Sequence, residues 1–142
     1  MKEKLIAETS ITINAPVSKV WKAITTPKLI KKYLFGTDVT SDWKEGSPIS
    51  YKGEYEGKAY EDKGQILKLE KEKIFQSTYW SSMSGKEDKP ENYATVTYKL
   101  SEKDGKTRVA LSQDNVDNEK GKEQSLENWK MTLKKLKEVV EG

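Results

Sequence analysis

Apolar residues early in the chain change period within thirty positions. Leu5, Ala7, Thr9, Ile11 and Ile13 alternate with their neighbours, which predicts a first strand over 5–13. Val17, Val20, Trp21 and Ile24 then fall at helical spacing, and Leu29, Ile30, Tyr33 and Leu34 repeat the pattern after Pro27. Two short helices are expected, with Asn14 capping the first and Pro16 just inside its start, where a missing N–H is harmless. Strand-like runs follow at short intervals: 36–43, 48–53, 58–70, 74–82, 93–101 and 107–114. Glu56-Gly57 and Asp104-Gly105 are hairpin turn signals, so an antiparallel meander is predicted. In the fifth strand Ile74, Gln76, Thr78 and Trp80 alternate with Phe75, Ser77, Tyr79 and Ser81; both sets carry a large aromatic, so periodicity leaves the inward face open.

The chain closes on a long amphipathic helix, from about Glu119 or Ser125 to Glu141. Leu126, Trp129, Leu133, Leu136 and Val140 step by three and four and draw one apolar stripe along a Lys/Glu-rich cylinder. That stripe has to be buried. A coiled coil needs a longer run of heptads, so the expected partner is the concave face of the sheet. The class is α+β, a seven-stranded antiparallel sheet wrapped around a long C-terminal helix with two short helices after strand 1, in a single domain over 1–142.

Composition narrows the function. Charged residues make up 35% and apolar residues 34% of 142 positions, lean for a globular chain, yet seven Tyr, four Trp and two Phe give the core bulk. The net charge of +3 is spread over interleaved acids and bases, and Arg108 is the sole arginine, so no nucleic-acid partner is expected. The opening residues lack the apolar run of a signal peptide, and no window approaches the roughly 18 apolar residues of a membrane span. A cytoplasmic monomer is expected.

Catalytic inventories are thin. Without His or Cys there is no Ser-His-Asp triad, no thiolate nucleophile and no ordinary zinc site, so neither metal nor cofactor is expected. Glu54, Glu56, Glu61 and Asp62 cluster around one hairpin, but Lys52, Lys58 and Lys63 among them mark a solvated charged surface. Gly53, Gly57 and Gly64 are spaced as turns and bulges and form no phosphate cradle. Binding chemistry is better supplied: Ile49 and Tyr51 share one strand face, and Val109, Leu111 and Gln113 another. Gln113 reads either as a strand end reaching solvent or as a hydrogen-bonding group at a cavity mouth. Trp129 sits on the helix stripe, as core or as ligand platform. Met83, beside the polar loop 84–90, is an exposed loop residue or a gate.

The strand, helix pair, six antiparallel strands and long helix follow the order of the helix-grip, or START-like, fold. Asn14-Ala-Pro-Val-Ser-Lys-Val-Trp-Lys-Ala-Ile-Thr-Thr-Pro27 resembles the opening of the family named after the activator of the Hsp90 ATPase. So do Trp43-Lys-Glu-Gly-Ser-Pro-Ile-Ser-Tyr51, Asp88-Lys-Pro-Glu-Asn-Tyr-Ala-Thr-Val-Thr-Tyr98 and Trp129-Lys-Met-Thr-Leu-Lys-Lys-Leu136. The resemblance implies a cavity between sheet and long helix, in a superfamily that binds lipids, hormones, polyketides or client proteins. It also implies that Tyr33 and Phe35, at the end of the second helix, roof that cavity as core or as lining. The eukaryotic co-chaperones that name the family carry an additional N-terminal chaperone-binding domain, so direct ATPase activation is not expected of these residues.

The leading expectation is a non-enzymatic module holding a small hydrophobic or amphipathic ligand, lipid or polyketide-like, lined by Tyr33, Phe35, Ile49, Tyr51, Trp80, Leu111, Gln113, Trp129 and Leu133. The alternatives are a co-chaperone-like domain with a chaperone-type protein partner, and a polyketide cyclase-like enzyme in which Tyr hydroxyls and water assist a shaped pocket.

Overall fold

The computed structural model describes residues 5–34, 36–82 and 85–142. In chain order the elements are β1 (Leu5–Ile13), α1 (Val17–Thr25), α2 (Pro27–Tyr33), β2 (Asp38–Ser41), β3 (Pro48–Tyr55), β4 (Lys58–Glu70), β5 (Ile74–Tyr79), a 3-10 turn (Pro90–Asn92), β6 (Ala94–Lys103), β7 (Lys106–Val116) and α3 (Glu119–Glu141). One antiparallel sheet runs β1-β7-β6-β5-β4-β3-β2. Strands β2 to β7 form the predicted meander, and β1 pairs with β7, placing Ile11 opposite Val109.

Both hairpin signals are realised as two-residue turns. Glu56 and Gly57 (φ 49° and 81°) join β3 to β4, and Asp104 and Gly105 (φ 55° and 76°) join β6 to β7. Positive φ at both central positions matches the right-handed twist of the flanking strands. The second predicted strand is shorter than 36–43: Trp43 adopts φ 54° and turns the chain out of the sheet after Ser41.

Asn14 does not cap α1. Pro16 occupies that position in extended conformation, and no side chain caps it. The local donors are satisfied from afar: the N–H of Val17 donates to Glu102 (2.7 Å) and that of Asn14 to Glu141 (2.7 Å). Helix α3 takes the longer of its two predicted starts, because Asn118 caps it by accepting from the N–H of Gly121 at 2.8 Å.

The β4–β5 pairing is irregular. Register slips between Ile66 and Lys68, and a Cβ at Gly64 would fall 1.7 Å from the carbonyl oxygen of Thr78. Only glycine fits so close a backbone approach. Helices α1 and α2 supply Val20, Trp21, Ile24, Ile30 and Tyr33 to one core with Ile13, Ile49, Ile66, Val109 and Leu111. Helix α3 lies along β1 and enters that core unevenly. Leu133, Leu136 and Val140 are buried in its C-terminal half, whereas Leu126 and Trp129 are only half-buried.

Candidate functional site

Strand pairing decides which side chains face the helix. Phe75 pairs with Tyr98, Ser77 with Val96 and Tyr79 with Ala94, and these partners are buried on the helix side. The fifth strand therefore turns Phe75, Ser77 and Tyr79 inward. Val96 in turn pairs with Gln113 and Tyr98 with Leu111, while Tyr51 pairs with Asp62. One concave surface thus gathers Tyr51, Asp62, Ser77, Tyr79, Tyr98 and Gln113 beneath α3 and the end of α2.

Of the predicted lining, Tyr33, Ile49, Leu111 and Leu133 are buried in the core, and Tyr51 is half-buried beside it. Trp129 and Gln113 are joined directly: the indole Nε1–H donates to the Gln113 Oε1 at 2.7 Å. Gln113 is half-buried and tethers the helix tryptophan. Trp129 also sits edge-on to Tyr98, with ring centroids 6.3 Å apart. Phe35 and Met83 lie outside the described residues.

Trp80 is placed elsewhere. Just beyond β5 it pairs with Lys63 in an isolated antiparallel bridge, stacks on Tyr93 at 6.3 Å and donates its Nε1–H to the carbonyl of Lys86 (3.2 Å). The ammonium of Lys63, ion-paired with Asp88, lies 5.8 Å from its ring centre. Trp80 therefore pins the β5–β6 connection against the outer face and takes no part in the inward group.

Sequence reasoning missed the polar half of that group. Asp62, read as surface charge, is 7% exposed. Its Oδ2 accepts the hydroxyl of Tyr79 at 2.5 Å and its Oδ1 the backbone N–H of Ser82 at 3.1 Å. Tyr79 packs edge-on to Tyr51, centroids 5.7 Å apart. Tyr60, two residues before Asp62, lies across Gly53, where a Cβ would fall 2.4 Å from its hydroxyl, and shares a hydrogen bond with Thr37 (2.6 Å) at the foot of α2. The overlooked signal is period two: Tyr60, Asp62, Gly64 and Ile66 occupy alternate positions of one strand, and Ile66 is fully buried.

Burial sets the electrostatics. It pushes the Tyr51 phenol up to about 12, opposed by a hydrogen bond from Ser77 and reinforced by Asp62. It raises Tyr79 further, with Asp62 adding to the effect through its hydrogen bond and charge. Tyr98 and Tyr33 are raised by burial first and then by neighbouring phenols, Tyr51 for Tyr98, and Tyr98 and Tyr51 for Tyr33. All four are neutral hydrogen-bond donors at neutral pH. Tyr33 and Tyr98 find no hydrogen-bond partner among the described residues, although they are only 2% and 7% exposed. No sealed side-chain polar atom among the described residues is left unpaired, so both hydroxyls border accessible space.

Two grooves, of about 450 and 420 Å³, open on the far side of the sheet. The first lies over β1, β7 and β6 beside Glu8, Ser10, Lys99 and Arg108, and the second beside Thr40, Asp42, Glu61 and Lys63. Both are open to solvent, and the first is mainly polar. Among the described residues no group of acidic side chains has the arrangement of a metal site, and no helix is long and apolar enough to cross a membrane.

The family model for "Activator of Hsp90 ATPase homolog 1-like protein" matches residues 14–141. The solution structure of ChR145 from Cytophaga hutchinsonii is 49% identical, covers 99% of this chain and 97% of its own, and superposes with a TM-score of 0.87. CalU16 from Micromonospora echinospora is 21% identical over 97% of this chain and 85% of its own (TM-score 0.73). The Aha1 dimer from Colwellia psychrerythraea is 20% identical over 96% of each chain (TM-score 0.75). The last two likenesses are of fold. No curated protein matches the chain.

Proposed function

Since the chain belongs to the family of Activator of Hsp90 ATPase homolog 1-like proteins, we propose that it is a binding module whose sheet and long helix hold one small apolar or amphipathic molecule. The observation that carries this reading is the pair Tyr33 and Tyr98. A phenol hydroxyl taken out of water without a partner costs about 1–3 kcal/mol. Two of them, in nearly buried side chains whose hydroxyls each border accessible space, suit a site in which a ligand's acceptors supply the missing bonds. The partly buried rings of Trp129 and Tyr51, packed against the core, provide apolar area for entry.

The same phenols argue against general-base catalysis. Burial holds Tyr33, Tyr79 and Tyr98 well above the ordinary tyrosine value and Tyr51 at about 12, so each is suited to donate a hydrogen bond and poorly suited to abstract a proton at neutral pH.

Titration with a panel of amphiphiles tests the reading. A ligand should quench or shift Trp129 fluorescence, saturate at one molecule per chain and raise the melting temperature. Tyr33→Phe and Tyr98→Phe should each weaken an acceptor-bearing ligand by about 0.5–1.5 kcal/mol while leaving the free protein as stable or more so. A panel that moves neither fluorescence nor melting temperature overturns the reading.

A further inference from the structure

We propose that Asp62 and the tyrosines around it recognise the positively charged amine or quaternary ammonium head of an amphipathic ligand, a proposal that rests on the sheet–helix interior being a ligand site. Three observations lead there. First, Asp62 is buried at 7% exposure, and its partners are neutral: the Tyr79 hydroxyl and the Ser82 N–H. A carboxylate offers about four acceptor positions, and two are used. Second, no cation among the described residues balances it. No Lys or Arg is buried among the described residues, and none forms an ion pair with Asp62. Lys63, its chain neighbour, lies on the opposite face, held by Asp88 and the Trp80 ring.

Third, the walls are aromatic. Tyr51 stands opposite Asp62 in the β3–β4 register, and Tyr79 packs edge-on against Tyr51 while bonding the carboxylate. Ring faces attract cations through their quadrupole, the more so when water is excluded. Both rings are half-buried, so the carboxylate lies just inside the edge of the core. An ammonium placed there pairs with Asp62 at one end, while its tail lies on the half-buried rings of Tyr51 and Trp129. An anionic head meets an unbalanced carboxylate and is rejected.

The inference runs against the overall charge. With a net charge of +3, nonspecific attraction favours anions, so a preference for cations has to come from a local site. Decyltrimethylammonium, decanol and decanoate share one tail length and differ in head charge. In calorimetric titrations below their micelle concentrations, the ammonium should bind about tenfold tighter than decanol, and decanoate weakest. Asp62→Asn should reduce the ammonium advantage over decanol to about twofold. Amide shifts in the wild type should centre on Tyr51, Asp62 and Tyr79.

An ammonium that binds no better than decanol, or an advantage that survives in a folded Asp62→Asn protein, overturns the cation site and leaves the apolar-ligand reading standing. Failure of all three probes to bind removes both. Should Asp62→Asn not fold, the order of the three heads on the wild type, with the location of the shifts, decides the matter alone.

Discussion

The indole N–H of Trp129 donates to the side-chain oxygen of Gln113, tying the half-buried middle of α3 to the C-terminal part of β7. Gln113→Leu keeps the bulk and removes the acceptor, so the indole loses its partner. It should cost about 0.5–1.5 kcal/mol in urea denaturation and change Trp emission. Trp129→Phe in the same background should cost less than it does in wild type, because the bond is already gone. Strict additivity in that cycle would mean that the bond carries no energy.

The two halves of α3 should respond differently to truncation. Leu136→Ala empties a fully buried site and should lose about 2–5 kcal/mol, whereas Leu126→Ala, at a half-buried position, should lose less than half of that. Thermal melts of the two variants make the comparison. Equal losses would contradict the uneven seating of the helix.

Gly64→Ala places a methyl group 1.7 Å from the Thr78 carbonyl oxygen, a contact with backbone that no rotamer relieves. The expected loss is about 3 kcal/mol or more, with weakened amide protection along β4 and β5. Gly121→Ala is the control: its added carbon meets nothing closer than 3.5 Å and lies within a helix, so stability should hold or rise slightly.

Alkali supplies a fourth test. The phenols of Tyr33, Tyr51, Tyr79 and Tyr98 have folded values above the ordinary 10.0. At high pH the native state therefore binds more protons than the unfolded one. Stability from these groups is complete below about pH 10 and falls as pH rises above it. Absorbance at phenolate wavelengths should show these four ionising together with loss of the fold. Ionisation of all tyrosines while circular dichroism stays native would refute the buried cluster.

Much of the fold was legible because its signals are local. Hairpin turns at 56–57 and 104–105, the alternation of β1 and the stripe from Leu126 to Val140 each reside in a short window of sequence. The site was less so. The facing of β5 depends on Tyr98 and Val96, some twenty residues away in the chain, and Trp80 followed the outer set once those pairings formed. Around Asp62 the misleading signal was charge: Glu61 and Lys63 alternate to the outside of the same strand whose inward positions are Tyr60, Asp62 and Ile66. The start of α1 was misread for a related reason. Its donors are met by Glu102 and Glu141, carboxylates that only tertiary structure brings near.

The pairing of β1 with β7 has a consequence for synthesis. The ribosome delivers β1 first and the strand that completes its hydrogen bonds nearly last, so Ile11 waits for Val109 while the whole meander is made. Through that interval β2 to β6 are free to zip locally, each with the strand just emerged, but the nascent sheet has no lateral closure. An unpaired, alternating strand is also a ready template for a second nascent chain. Glu8, within that strand and exposed, places charge where polysome neighbours would otherwise pair, and the rate at which β7 emerges becomes the rate at which that exposure ends.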